Sequence, residues 1–537
     1  MNNLRILDLL IIALYLVAMV AVGVYFSRKN KNPEQYSSAS GQIPGWAIGL
    51  SIYATFLSSN TFLGVPGKSF GTNWNALVFS ISMPLAAWVA ARYFVPFYRS
   101  TGEISAYTHL ERRFGPWART YAVVCFLLTQ LARIGSIFFG IALTLQALTG
   151  FSMEWIMLVT GVCIIIYTVL GGIEAVIWTE VVQGVIKTGG ALLILYLVLK
   201  HLPGGMSKVV AIGRHDGKFS LGGFAPDFTQ STFWVVLLYG FFINLNNFGV
   251  DQNYVQRYHT ATSAREAARS IWLCVGIYVP ASLLFFLIGS ALYAYYQVHP
   301  ELIEAVKLKV AAEHLPLGAT AAQLTQEAAR LLPADYGDKV MPHFMVTQIP
   351  PGLVGLIVSA ILAAAMSTIS SGMNASATVF AADIYERYFR PGLSGRQTLR
   401  LLHVGTVVVG LLGMGTGLAM IGVKSVLDVW WELSGIFAAG MLGLFLLAVI
   451  GRQTRNHEAL TATVIGVLVI LWLTLSPRLP DNLAALRNPL HKSMVIVVGT
   501  LTIFLLGLLL TRLRGRQPHP LAPSPAGKGE LVSSSRL

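Results

Sequence analysis

The chain has 537 residues, of which 55% are hydrophobic and 12% are charged, and its mean hydropathy is +0.64. Soluble proteins keep about a quarter of their residues charged, so this composition excludes a soluble domain. The net charge of +14 lies mostly in connections between apolar blocks, where it sets membrane orientation rather than marking a nucleic-acid partner. The sequence predicts an all-α polytopic membrane protein.

Thirteen apolar blocks follow one another along the chain, each long enough to cross a bilayer as a helix. We predict spans at residues 7–27, 46–70, 74–98, 118–148, 153–171, 176–199, 232–250, 270–297, 349–376, 398–420, 426–450, 457–476 and 491–511. The connections that follow odd-numbered spans hold more Lys and Arg than the others, which predicts that they are cytoplasmic. We therefore expect the protein in the cell membrane, the inner membrane where there are two, with its N-terminus on the outer side and its C-terminus in the cytoplasm.

Residues 1–512 are predicted to form one transmembrane domain, and residues 513–537 a disordered cytoplasmic tail. The tail is rich in Pro, Ser and Gly and has no apolar period. The long connection 298–348 contains the stretch "AAQLTQEAARLL", whose spacing predicts an amphipathic helix over the mouth of the protein.

Two spans carry polar interruptions in corresponding places. The second contains "YATFLSSNTFLGVPGKSFG" and the seventh contains "FFINLNNFGVDQ". Pro and Gly open the helix backbone, and the freed carbonyls can coordinate a cation. Each interruption opens a set of five spans, over residues 46–199 and 232–450, and an odd number makes the two sets inverted repeats. Coincidental kinks are the alternative, but the pairing favours a transporter with its site at the membrane midplane.

The ninth span carries a polar stripe, "MSTISSGMNAS". Ser367, Ser370, Ser371 and Asn374 share one helical face, with Thr368 beside it. Close helix packing would explain hydroxyls at these positions. Hydroxyl and carbonyl oxygens with little charge also suit a monovalent cation such as sodium, and the sequence has no His or Cys cluster for a transition metal.

Arg133 lies near the middle of the fourth span. A guanidinium at that depth needs an anionic partner. One interpretation is a permanent partner such as Glu174 or Glu180, and the other is an anionic group of the solute.

Four more charged positions lie in or near the spans. Glu180 and Lys187 share one face of the sixth span, where they can interact. We expect Asp251 and Arg257 to form a structural salt bridge at a cytoplasmic helix end.

Four stretches together resemble one known family. They read "WAIGLSIYATFLSSNTFLGVPGK", "YTVLGGIEAVIWTEVVQG", "DQNYVQRY" and "GLIVSAILAAAMSTISSGMNA". From about residue 5 to 512 the chain resembles the sodium:solute symporter family, which includes the sodium/glucose cotransporters. Its pattern is most similar to the bacterial sodium/sialic acid symporters. The resemblance implies the leucine-transporter-like fold of two inverted five-helix repeats, with an extra first helix and two further helices within 457–511.

The resemblance implies a main sodium site between the second and ninth spans. Its ligands would be the backbone carbonyls of Ala54, Leu57 and Ala364 and the hydroxyls of Ser367 and Thr368.

A second sodium site in some family members would fall on Glu180, Ser367, Ser370 and Ser371. The family pattern has Asp where this chain has Glu180, and Lys187 on the same face would compete for the carboxylate and repel a cation. We therefore expect one sodium ion per cycle.

The resemblance also implies a solute pocket. Arg133 matches the residue that holds the substrate carboxylate in the sialic acid symporters, and other positions match in part. The predicted substrate-binding residues are Phe56, Ser58, Thr61, Ser80, Arg133 and Asn247. Phe56 stands where the family pattern has a hydroxyl, and Ser80 where it has a glutamine.

The expected function is sodium-coupled symport by alternating access, and not enzymatic catalysis. The solute would be a small polar molecule, such as sialic acid, another sugar acid, or a related sugar or carboxylate. A proton-coupled or uncoupled carrier, with Lys187 standing in for a cation, is an alternative, as is a symporter of a neutral sugar or monocarboxylate. A membrane sensor or channel is a further alternative. The lack of a signalling domain argues against a sensor, and the two broken spans argue against a channel.

Overall fold

The structure is a computed structural model that describes residues 6–27, 32–103, 105–316, 318–423 and 425–514. The predicted disordered tail lies outside these residues from position 515 onward. Within the described residues every named element is a helix, and the one strand-like feature is an isolated bridge between Ile43 and Ala261. The all-α prediction is confirmed.

Ten helices of the described residues are long and apolar enough to span a membrane. They are Ile6–Phe26, Trp74–Thr101, Pro116–Gln146, Met153–His201, Ala264–Val298, Leu353–Phe389, Gly395–Ala419, Leu427–Ile450, Asn456–Arg478 and Met494–Leu513. Two bent pairs raise the number of candidate spans to twelve. The first pair, Gly45–Phe56 and Ser59–Gly71, is bent by 54°, and the second, Phe233–Gly249 and Gln252–Thr260, by 44°. These are the second and seventh spans, which the sequence predicted to be broken.

One helix accounts for two of the predicted spans. Met153–His201 has 49 residues, which at about 1.5 Å per residue is more than twice the thickness of a bilayer core. Gly172 interrupts it with φ 57° and ψ −166°, a conformation that favours glycine. Counting the two halves as the fifth and sixth spans turns the twelve candidates into the thirteen predicted.

Shorter helices lie in the connections. They are Pro33–Ser38, Thr108–Phe114, Gly205–His215, Pro300–His314, Ala321–Arg330 and Pro333–Gln348. The amphipathic helix predicted from "AAQLTQEAARLL" is Ala321–Arg330. The helix Pro333–Gln348 packs tightly on the second half of the second span, since a Cβ added at Gly337 would lie 2.5 Å from the Gly67 carbonyl oxygen.

The break in the second span is a short extended segment. Leu57 has φ −90° and ψ 85°, and Ser58 has φ −94° and ψ 178°. Carbonyls at the end of the first half therefore lack the amide partners that a continuous helix would supply. The ninth span packs close by, and 89% of its most apolar stretch is buried inside the protein, so its polar stripe faces other helices rather than lipid.

Candidate solute pocket and cation sites

The break in the second span opens on a pocket of about 720 Å³, a volume that includes its open side. All six predicted substrate-binding residues line it, namely Phe56, Ser58, Thr61, Ser80, Arg133 and Asn247. The structure thus brings together positions from the second, third, fourth and seventh spans.

Aromatic side chains form much of the remaining wall. They are Phe79, Tyr239, Tyr278, Phe286, Trp430 and Trp431. The Phe79 and Trp431 rings are stacked with centroids 5.5 Å apart. No motif had marked the eleventh span as part of the site, and the adjacent tryptophans at its start were the one available signal.

Arg133 is buried at the pocket, with 8% of its surface exposed. Its Nη2 donates a hydrogen bond to the Tyr254 hydroxyl at 3.1 Å, and its Nη1 lies 3.9 Å from Oδ2 of Asp251. The guanidinium carbon also lies 5.5 Å from the ring centre of Trp430. Because a guanidinium has five N–H donors, this arrangement leaves donors for a further acceptor in the pocket.

The predicted pairing of Asp251 with Arg257 is wrong. Asp251 is 2% exposed and caps Gln252–Thr260, where its Oδ1 accepts a hydrogen bond from the Asn253 amide at 2.8 Å. The break in the seventh span places this cap in the protein core beside Arg133, and not at a cytoplasmic helix end. Asp251, rather than Glu174 or Glu180, is therefore the carboxylate near Arg133.

Arg257 instead pairs with Glu180, and both side chains are at most 1% exposed. Nη2 of Arg257 donates to the two carboxylate oxygens at 2.9 and 2.8 Å. The carboxylate also accepts hydrogen bonds from the hydroxyls of Ser51, Thr55 and Ser371. Glu180 is thus neutralised by a neighbouring helix, and Lys187 does not compete for it.

The second predicted sodium set is only partly assembled around Glu180. Ser371 reaches the carboxylate, while Ser370 donates to the backbone carbonyl of Ser367 at 3.2 Å. The Ser371 hydroxyl also accepts from Nη2 of Arg257 at 2.6 Å. A guanidinium, rather than space for an ion, therefore lies between the predicted ligands.

Three of the five predicted main-site ligands meet at one atom, the Nζ of Lys187. This ammonium donates to the carbonyls of Ala54 at 2.5 Å and Leu57 at 2.9 Å, and to the hydroxyl of Ser367 at 3.1 Å. Lys187 has no exposed surface. The other two predicted ligands bond to each other, since the Thr368 hydroxyl donates to the Ala364 carbonyl at 3.3 Å.

Comparison with known proteins identifies the family and fold of this chain. The model of the sodium:solute symporter family matches residues 36–466. The chain is 34% identical to the sodium/sialic acid symporter NanT of Aliivibrio fischeri, over 91% of each chain, and 31% identical to SiaT of Proteus mirabilis, over 91% of this chain and 93% of that protein. The solved structure of a Na+-coupled sialic acid symporter, in a substrate-bound outward-open state, superposes with a TM-score of 0.82 at 28% identity, covering 95% of this chain and 98% of that one. The chain is a multi-pass membrane transporter, not an enzyme, and it belongs to the sodium:solute symporter family.

Proposed function

We propose that this chain imports a small organic solute that carries a carboxylate and hydroxyl groups, a sugar acid such as sialic acid, by secondary active symport. The observation that carries this proposal is Arg133, a buried guanidinium that lines the pocket and keeps donors available. Guanidinium groups bind carboxylates through two parallel hydrogen bonds. The names of the similar symporters NanT and SiaT support the same solute class.

The rest of the pocket suits the other groups of such a solute. Ser58, Thr61, Ser80 and Asn247 offer hydroxyls and an amide for solute hydroxyls. The aromatic wall offers apolar faces for a sugar ring. A neutral sugar would offer Arg133 only uncharged hydroxyl oxygens, whereas a carboxylate offers a charged, bidentate acceptor, so the chemistry favours an acid over a neutral sugar.

The proposed orientation has the N-terminus outside and the C-terminus in the cytoplasm. It follows the distribution of Lys and Arg among the connections. We propose sodium as the coupling ion because the chain belongs to the sodium:solute symporter family.

Uptake in proteoliposomes tests the proposal. We expect accumulation of labelled sialic acid or another sugar acid, competition by other carboxylates, and little competition by neutral sugars of equal size. Arg133→Lys should weaken the apparent affinity about 10- to 100-fold, because a point charge replaces a planar pair of donors worth about 1.5–3 kcal/mol.

The matched control is Arg92→Lys, which makes the same exchange at an exposed arginine outside the pocket. It should transport with unchanged affinity. Accumulation of a neutral sugar but of no carboxylate would contradict the proposed solute class. Equal affinities of Arg133→Lys and the parent chain for an imported acid would contradict the role of Arg133.

A further inference from the structure

The cage between the second and ninth spans holds a cation that is part of the protein. Lys187 brings three N–H donors, and the cage offers three acceptors, Ala54 O, Leu57 O and Ser367 Oγ, at 2.5, 2.9 and 3.1 Å. All three acceptors are neutral oxygens, so the ammonium is bound as a free cation would be, by dipoles and lone pairs. The first half of the second span ends at Phe56, and its C-terminal dipole also favours a positive charge there.

Close packing of the sixth span against its neighbours positions this ammonium. A Cβ at Gly190 would lie 2.4 Å from the Cβ of Ala360, so glycine lets the sixth span lie directly against the ninth. On the other side the Thr188 hydroxyl lies 2.5 Å from the Tyr53 hydroxyl of the second span. Lys187 therefore lies between both spans, and its side chain replaces a mobile ion as the bridge between them.

Glu180, the acidic residue that shares a helical face with Lys187, does not form an ion pair with it. Glu180 is bound by Arg257 and by three hydroxyls, as described above. Among the described residues no carboxylate lies within 4 Å of Lys187 to compete with the cage. A sodium ion would need the same three oxygens and would meet an ammonium at contact distance, so sodium does not fit beside Lys187.

We propose that the ammonium of Lys187 is the resident cation of the main site of this chain, and that sodium does not bind there. A tethered cation cannot leave with the solute, so this site holds the second and ninth spans together but carries no ion across the membrane. Sodium coupling, where it operates in this chain, then uses a position outside this cage. The inference deepens the proposed symport function and assigns the cation of one of its sites.

Thermal unfolding of the purified full chain in sodium chloride and in choline chloride, at equal ionic strength and without solute, tests the inference. Thr368 belongs to the predicted sodium ligands but does not touch Lys187, so Thr368→Ala reports on sodium in the cage alone. We expect the parent chain and Thr368→Ala to respond to sodium equally. A saturable sodium stabilisation that Thr368→Ala abolishes would overturn the proposal.

Removing the ammonium should restore a sodium site. In Lys187→Ala the carbonyls of Ala54 and Leu57 lose their cation, and we expect a saturable rise in melting temperature of several degrees that is specific for sodium. Adding Thr368→Ala to this variant should remove the rise. A folded Lys187→Ala without any gain in sodium response would count against the proposal.

The matched control is Lys218→Ala. Lys218 caps the second half of the second span. Its Nζ donates to the carbonyls of Phe70 at 2.7 Å and Thr72 at 2.9 Å, outside the cage. It should gain no sodium response, and a gain equal to that of Lys187→Ala would refute the assignment. If Lys187→Ala does not fold, the comparison of the parent chain with Thr368→Ala still decides. Because no solute is present, failure of the proposed solute class would leave these results unchanged.

Discussion

The buried pair of Glu180 and Arg257 should be among the most sensitive positions for stability. At 2.8 Å and an effective dielectric constant of 20, the attraction between the charges is about 6 kcal/mol, most of which desolvation offsets. Removing one partner leaves the other charge buried alone. We therefore expect Arg257→Met or Glu180→Gln to lower the free energy of unfolding by about 3–5 kcal/mol.

The double variant separates pairing from simple loss of packing. If the two groups stabilise the protein as a pair, Glu180→Gln with Arg257→Met should cost at least about 1 kcal/mol less than the sum of the single losses. Reversible unfolding in mixed detergent micelles measures all four proteins. The control is Glu103→Gln, which breaks the exposed pair with Arg112 and should cost less than about 1 kcal/mol.

Two results would refute this reasoning. Single variants within about 0.5 kcal/mol of the parent chain would show that the protein does not depend on the pair. Additive losses in the double variant would show that the two side chains act independently.

Two further predictions concern the helices around the site. Gly190→Ala should destabilise the protein by about 1–3 kcal/mol, because its Cβ would lie 2.4 Å from that of Ala360. Gly189→Ala has open space around its Cβ and should stabilise the protein slightly. Chemical unfolding of both variants checks this, and equal effects would contradict it. Burial lowers the pKa of Lys218 to about 8 from 10.5. Between these pH values the unfolded chain binds more protons, so stability relative to Lys218→Met should rise with pH over this range in melting experiments, and parallel pH profiles would contradict it.

Much of the architecture could be predicted because it depends on local pattern. Apolar length predicts the spans, and Pro, Gly and Asn inside two of them predict the breaks, since these residues weaken a helix wherever it packs. The break in the second span lies at Leu57 and Ser58, ahead of Pro66, so the local signals predicted which span is broken but not where. The pocket position of Arg133 was implied by the family resemblance.

The partners of the buried charges could not be predicted in the same way. Helical periodicity states which residues share a face of one helix, but not which other helix covers that face. Glu180 pairs with Arg257, which lies 77 positions further along the chain, and not with Lys187 on its own helical face. Two aromatic residues of the pocket wall, Trp430 and Trp431, likewise come from the eleventh span, far along the chain from every predicted ligand.

The sequence by itself predicted a polytopic transporter with two broken spans, and its family resemblance implied the ligands of the cage and the pocket arginine. Only the tertiary structure showed that the ammonium of Lys187 contacts three of the predicted ligands. Lys187 lies 133 and 180 positions from Ala54 and Ser367, and it meets both because small residues let the sixth span pack against its neighbours. The physical reason is that a buried ammonium must find acceptors, and the helix break offers the carbonyls that no amide uses.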